Sequence, residues 1–236
     1  MKVPSGREFD SYDVRFVQFA VQYGLIRGHM KPVFGTRSGE KTRVYVGGRN
    51  DLTDHPDFEW LVGRVIAACV LEDAQKREDT KQQCLIGIPT AGTPLAQAAA
   101  TVSYHFHGRV HPPRIIHRVM RETLKTHAMH FGWMNGEPDS GHSYWLVDNT
   151  VHDADSKLLA RAHLRESRYP VDDVHALLLV DRQEGGIERM KQARFPHVVA
   201  VYKILDILEV INFLGLWPKE MVRAIQEEVQ AHQVVA

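Results

Sequence analysis

The chain is poor in cysteine and has no surplus charge of either sign. Its 236 residues hold two cysteines, Cys69 and Cys84, each inside an apolar run and without metal-ligand spacing, so buried free thiols are expected. Lys plus Arg and Asp plus Glu each number 29, which removes any electrostatic case for nucleic acid or an anionic membrane as partner. No apolar run approaches the roughly 20 residues of a membrane span, and residues 1–7 lack a secretory apolar core. Internal repeats and low-complexity segments are also missing. Together these absences point to a soluble protein of a reducing compartment, the cytoplasm. Histidine is plentiful, with fourteen. Positions such as His105, His107, His111, His117, His130 and His142 follow no helical or hairpin ligand spacing, so no dedicated transition-metal site is expected.

The length allows one large α/β domain or two small ones. Residues 11–23 have a helical apolar pattern closed by Gly24 and Gly28, and residues 33–48 read as short β segments around a Ser38-Gly39 turn. An amphipathic helix follows over 57–76, with Trp60, Leu61, Val65, Ala68 and Cys69 on its apolar side. Strand and helix signals then alternate. Strands are expected at 84–89, 114–120, 144–148, 174–181 and 197–202. Helices are expected from Pro94, over 156–167 and 184–193, and near 205–213 and 218–232. This alternation predicts a parallel sheet covered on both faces. Residues 121–142 form a polar connection too long for an ordinary turn, and read as a functional loop.

The most informative stretch is Tyr144-Trp145-Leu146-Val147-Asp148-Asn149-Thr150-Val151-His152-Asp153-Ala154-Asp155-Ser156-Lys157. An apolar strand reaches an acid, crosses a small polar turn and enters a helix. Such a unit can hold a phosphorylated sugar: the acid meets ribose hydroxyls, and the turn offers N–H groups to a phosphate.

The order of these segments resembles a type I phosphoribosyltransferase, most closely orotate phosphoribosyltransferase, over residues 12–209. Leu178-Leu179-Val180-Asp181-Arg182-Gln183-Glu184-Gly185-Gly186 is its most specific part. Supporting parts are the Phe34 to Gly39 turn, Gly87-Ile88-Pro89-Thr90-Ala91-Gly92-Thr93-Pro94 and the segment from Arg121. The resemblance implies a single domain: a helix and hood over about 1–55, a core over 56–204 with a five-stranded parallel sheet, and C-terminal helices over 205–236. It implies transfer of ribose 5-phosphate from phosphoribosyl pyrophosphate (PRPP) to orotate. Mg²⁺ would enter bound to the pyrophosphate, and a homodimer would lend its mobile loop to the neighbouring active site.

By the same resemblance, Arg121, Lys125 and His127 handle pyrophosphate, helped by the Thr90, Ala91 and Gly92 turn. Asp148 and Asn149 hold ribose, and His152, Asp153, Ala154, Asp155 and Ser156 hold the 5′-phosphate. Arg182 pairs with the orotate carboxylate, while Arg37 and Tyr45 contribute from the hood. The chain departs from the family at charged positions. Ala91 and Glu122 stand where lysines are common, Asn149 replaces an acid, and Asp155 falls inside the phosphate turn. A carboxylate about 4 Å from a phosphate repels it by about 1 kcal/mol in water. Each element also has a plain structural reading. Arg182 can pair with Asp181 or Glu184, Asp153 or Asp155 can cap the following helix, and the Arg121 segment can be a solvated loop. Three functions stay open: the orotate enzyme, a transferase for another base or sugar phosphate, and a binding or partner subunit that has lost catalysis.

Overall fold

Five apolar segments form the parallel strands of one sheet, because strands buried on both faces read as near-continuous apolar runs. The computed structural model describes residues 1–35, 39, 41–106, 113–125 and 132–233, with Lys125 described by its backbone. The chain opens with α1 (Ser11–Gln22), β1 (Ile26–Gly28), β2 (Phe34–Gly35), β3 (Lys41–Thr42), β4 (Val44–Val46) and α2 (Asn50–Thr53). It continues through α3 (Pro56–Lys76), β5 (Gln82–Gly87), α4 (Gly92–Phe106), β6 (Ile115–Lys125), β7 (Gly132–Met134) and β8 (His142–Val151). Last come α5 (Asp155–Glu166), β9 (His175–Asp181), α6 (Gly186–Gln192), β10 (Val198–Lys203), α7 (Ile204–Leu214) and α8 (Lys219–His232).

Local chemistry sets several boundaries. Asp10 caps α1 by accepting from the N–H groups of Tyr12 and Asp13, and Asp13 returns the bond to Asp10 N–H at 3.1 Å. Pro56 starts α3, and Gly215 ends α7 at φ 64°.

The main sheet runs β10-β9-β8-β5-β6-β7, with β7 antiparallel and the other five strands parallel. Taken in chain order, the parallel strands stand 2-1-3-4-5, so the order reverses between β5 and β8. Open α/β sheets bind ligands outside the carboxyl ends of the strands at such a reversal. Successive side chains of a strand point to opposite faces. Leu85, Trp145, Val147, Leu177 and Leu179 join the core under α1, α3, α4, α7 and α8. Cys84, Ile86, Tyr144, Leu146, Ala176 and Leu178 join the core under α5 and α6.

Two expectations need correction. The sheet has a sixth, antiparallel edge strand beside the five parallel ones. The 121–142 segment is also partly regular, since β6 extends to Lys125 and β7 returns along it. Its polar residues fasten this hairpin: Arg121 donates to the carbonyls of Gly132 and Met134 at 3.0 and 2.6 Å, and Asn135 Oδ1 accepts from Val119 N–H at 2.8 Å. Polar composition therefore misread as loop. Cys84 is buried and Cys69 half-buried, and burial pushes their thiols up to about 12 and about 11, as suits inert core thiols. Among the described residues no helix is long and apolar enough to cross a membrane.

Within the first 55 residues lie two small two-stranded sheets, and the Val46 and Gly47 carbonyls meet Asn149 near the end of β8. β1 pairs with β4 and β2 with β3, both antiparallel. Gly28 has no side chain because the Trp217 ring, from the turn before α8, lies where its Cβ would be. The C-terminal helices and the hood therefore pack as one wall.

Candidate active site

The turn after β5 packs directly on the end of β8. Ile88 N–H donates to Val147 O at 2.8 Å, and Gly92 N–H donates to Ile88 O at 2.8 Å. A Cβ on Gly92 would strike the Val147 carbonyl, and one on Gly87 would strike Gly92. Only glycine permits this approach. Thr90 and Ala91 line the turn's outer side, and the Thr90 hydroxyl donates to Glu122 on β6. The residue standing where a lysine is common is thus tied to the pyrophosphate-loop candidate, as an acceptor.

Asp148 lies at the next position of β8 and is buried. Its Oδ1 accepts from Asn149 N–H at 2.9 Å, while Oδ2 lies 2.7 Å from Lys157 Nζ and 3.5 Å from the Ser156 hydroxyl. Lys157, in the first turn of α5, is only 4% exposed and also donates to Thr150 O and, at 3.1 Å, to Ser156 Oγ. A carboxylate offers about four lone-pair positions, so Oδ1 retains capacity for a further donor. Asn149 turns the other way, its amide donating to Gly47 O and to Val46 O at 3.4 Å. An aspartate there would face two carbonyls, so the uncharged amide at this position follows from its contact with the hood.

The turn from His152 to Ser156 bends through Ala154, which is buried and left-handed at φ 67°. Asp153 Oδ1 accepts from Asp155 N–H at 3.0 Å, taking one of the free donors at the start of α5. Asp155 points outward to Arg189 at 2.6 Å, and the same guanidinium donates to Asp153 O at 2.6 Å. Its charge is therefore balanced from α6, whose first residue, Gly186, meets the His152 backbone. His152 Nε2 lies 2.9 Å from Glu184. That hydrogen bond raises the His152 pKa, with burial opposing it. Burial works against ionising Glu184, yet His152 and Arg182 outweigh it and hold the carboxyl below its usual range.

Arg182, 7% exposed, leaves the end of β9 and donates to Thr42 Oγ1 at 3.1 Å and to Glu184 Oε1 at 2.9 Å. Its Nε is buried without a partner, and so is Thr150 Oγ1. Buried polar atoms nearly always find partners, so orphaned donors at a crevice mark room for a ligand. Beside Arg182 lies a cavity of about 220 Å³, lined by Lys41, Thr42, His152, Arg182, Glu184, Glu228 and His232.

The structure thus gathers Thr90, Ala91, Gly92, Asp148, Asn149, His152, Asp153, Ala154, Asp155, Ser156 and Arg182 along one end of the sheet. Tyr45 stands in the hood with its ring 5.7 Å from Phe34. Arg121 is bound into its own hairpin. Arg37 and His127, and the side chain of Lys125, lie outside the described residues. Among the described residues no three His, Cys, Asp or Glu side chains gather as a metal cage. Sequence reasoning missed Thr42, Arg189 and Glu228, whose partners lie far along the chain and leave no spacing signal.

Comparison with solved structures follows this geometry. UMP synthase of Leishmania donovani matches over 92% of this chain and 42% of that chain, with a TM-score of 0.69 and 20% identity. This chain therefore spans under half of that protein. Orotate phosphoribosyltransferase of Francisella tularensis matches over 93% of this chain and 100% of its own, with a TM-score of 0.64 and 13% identity. That of Mycobacterium tuberculosis H37Rv, in complex with PRPP, matches over 84% and 93%, with a TM-score of 0.54 and 16% identity. The sequence matches no family model and no curated protein. At such identities the likeness is one of fold. The chain has the type I phosphoribosyltransferase fold, in the form most like that of the orotate phosphoribosyltransferases.

Proposed function

We propose that the chain transfers ribose 5-phosphate from PRPP to orotate, giving orotidine 5′-phosphate and pyrophosphate. The observation that carries this reading is the junction at the strand reversal, where the glycine turn after β5 rests on the carbonyl of Val147, next to Asp148. One crevice then sets a turn of small residues, close enough for pyrophosphate to approach, beside a carboxylate for ribose. The solved neighbour in complex with PRPP supports the same donor class.

Asp148 would accept a ribose hydroxyl on Oδ1 while Lys157 steadies Oδ2. His152, whose pKa the Glu184 hydrogen bond raises, would face the 5′-phosphate and, when protonated, offset the outward Asp155. Arg182 would present its unpaired Nε to the acceptor's carboxylate, a task suited to a guanidinium. Substitution at the sugar carbon develops positive charge on the ribose, so positioning and exclusion of water carry most of the catalysis. Mg²⁺ belongs to this reading as a companion of the pyrophosphate, neutralising its charge. That arrangement asks for no side-chain cage, because the pyrophosphate itself would supply the oxygen ligands, with Asp148 left for the ribose hydroxyls. A homodimer, as the resemblance implies, completes the proposal.

One observation favours a second reading, a binding or partner subunit without turnover. Asp148, Asp155, Arg182 and Glu184 each already pair within the chain. Incubation with orotate, PRPP and Mg²⁺ separates the two. Formation of orotidine 5′-phosphate with stoichiometric pyrophosphate is expected. Folded protein that yields neither product, with orotate or with a panel of other bases, would sink the enzyme reading.

A further inference from the structure

The cavity beside Arg182 is closed on one side by the C-terminal helix, which enters no part of the chemistry above. Glu228 on α8 reaches into the hood. Its Oε1 accepts from the Thr42 hydroxyl at 2.6 Å and from Arg43 N–H at 2.8 Å, and its Oε2 pairs with Arg43 Nη1 at 2.6 Å. Thr42 has one hydroxyl proton. Because Glu228 takes it, the oxygen's lone pairs turn to Arg182, whose Nη2 donates there at 3.1 Å. Thr42 and Arg182 are both more than nine-tenths buried. Glu184 holds the same nitrogen at 2.9 Å. The guanidinium is therefore oriented from two sides, and its unpaired Nε is left for a ligand.

We infer that Glu228, through Thr42, is a positioning residue for Arg182, so that α8 sets the affinity for the acceptor base. This rests on the functional reading above. Arg43 balances the Glu228 charge, so the carboxylate adds little repulsion toward an anionic acceptor. What it contributes is the direction of one hydroxyl. Without it, the Thr42 hydroxyl turns its proton to its other acceptor, Val44 O at 3.4 Å, and its lone pairs swing away from Arg182 Nη2.

The test uses the full chain with Thr42→Val, Thr42→Ser, Glu228→Leu, which removes the acceptor, and Arg182→Lys. Loss of one well-placed hydrogen bond corresponds to about tenfold in affinity. Thr42→Val and Glu228→Leu are expected to raise the orotate KM and Kd by about that factor, with the PRPP values within about twofold. Thr42→Ser, which keeps the hydroxyl, is expected to restore wild-type values. The Arg182 Nε–H resonance, assigned by its disappearance in Arg182→Lys, reports the guanidinium without any ligand. It is expected to shift and to exchange faster with water in Thr42→Val and Glu228→Leu. Orotate affinity that stays unchanged in both variants overturns the inference and leaves the functional reading intact. Wild-type protein that neither binds nor converts orotate sinks the functional reading; the resonance then decides alone, and an unmoved signal overturns the inference.

Discussion

Ala154 sits where the turn needs a left-handed residue, and it holds φ 67° with a methyl group in the core. Glycine would relieve the backbone but lose that methyl, so the two effects nearly cancel. Ala154→Gly is expected to change stability by less than about 1 kcal/mol, whereas Ala154→Val, β-branched at positive φ, should cost about 2 kcal/mol or more in urea unfolding. Asp181 behaves differently, because burial pushes its carboxyl up to about 6. The folded state then binds the proton more tightly than the unfolded chain. The penalty for ionising Asp181 is absent below the unfolded value of about 3.8 and complete above the folded one. Asp181→Asn should therefore stabilise the protein by about 3 kcal/mol at pH 7.5 and by well under about 1 kcal/mol near pH 4, as read from paired melting curves. His152 carries the opposite sign. Its raised pKa means that the Glu184 pairing contributes fully below about 6.5 and is lost as pH rises through the folded value. Under the proposed function, PRPP affinity should weaken over that same rise, and His152→Asn should flatten the profile.

Among the elements, the turn after β5 and the start of α5 were legible for different reasons. The strand-turn-helix run from Gly87 marked the first, and in the structure Gly92 makes room for the backbone of Val147 and Gly87 for that of Gly92. Gly92→Ala should cost about 3 kcal/mol, because the obstacle is backbone and cannot rotate away. The start of α5 was readable as a turn entering a helix. Its charges were not, since Asp155 finds Arg189 and Asp148 finds Lys157 only after the chain folds. Asp148 and Lys157 are both buried, so Lys157→Met should destabilise by about 3–5 kcal/mol by leaving a lone carboxylate. Adding Asp148→Asn should recover much of that loss, and a double-mutant cycle measures the coupling. The β6–β7 hairpin was missed because Arg121 and Asn135 spend their polarity on neighbouring backbone. By composition alone such residues resemble a loop.

At the scale of the molecule, apolar runs and their spacing were enough for an α/β parallel sheet, since strands covered on both faces leave near-continuous apolar runs. Strand order was not written there, and the reversal between β5 and β8 is what places the candidate site. The resemblance of Leu178 to Gly186 and its neighbours named the fold correctly. It did not reveal that the retained charges are already paired inside the chain. A phosphoribosyl donor must compete with those pairs, and the proposed function requires that it succeeds. Calorimetric titration of Mg²⁺-PRPP into the wild type and into Asp148→Asn tests this most directly. Micromolar binding that weakens by about tenfold or more in the variant is the expected result. Wild-type protein that is folded yet releases no binding heat at millimolar donor, at several temperatures, would contradict it.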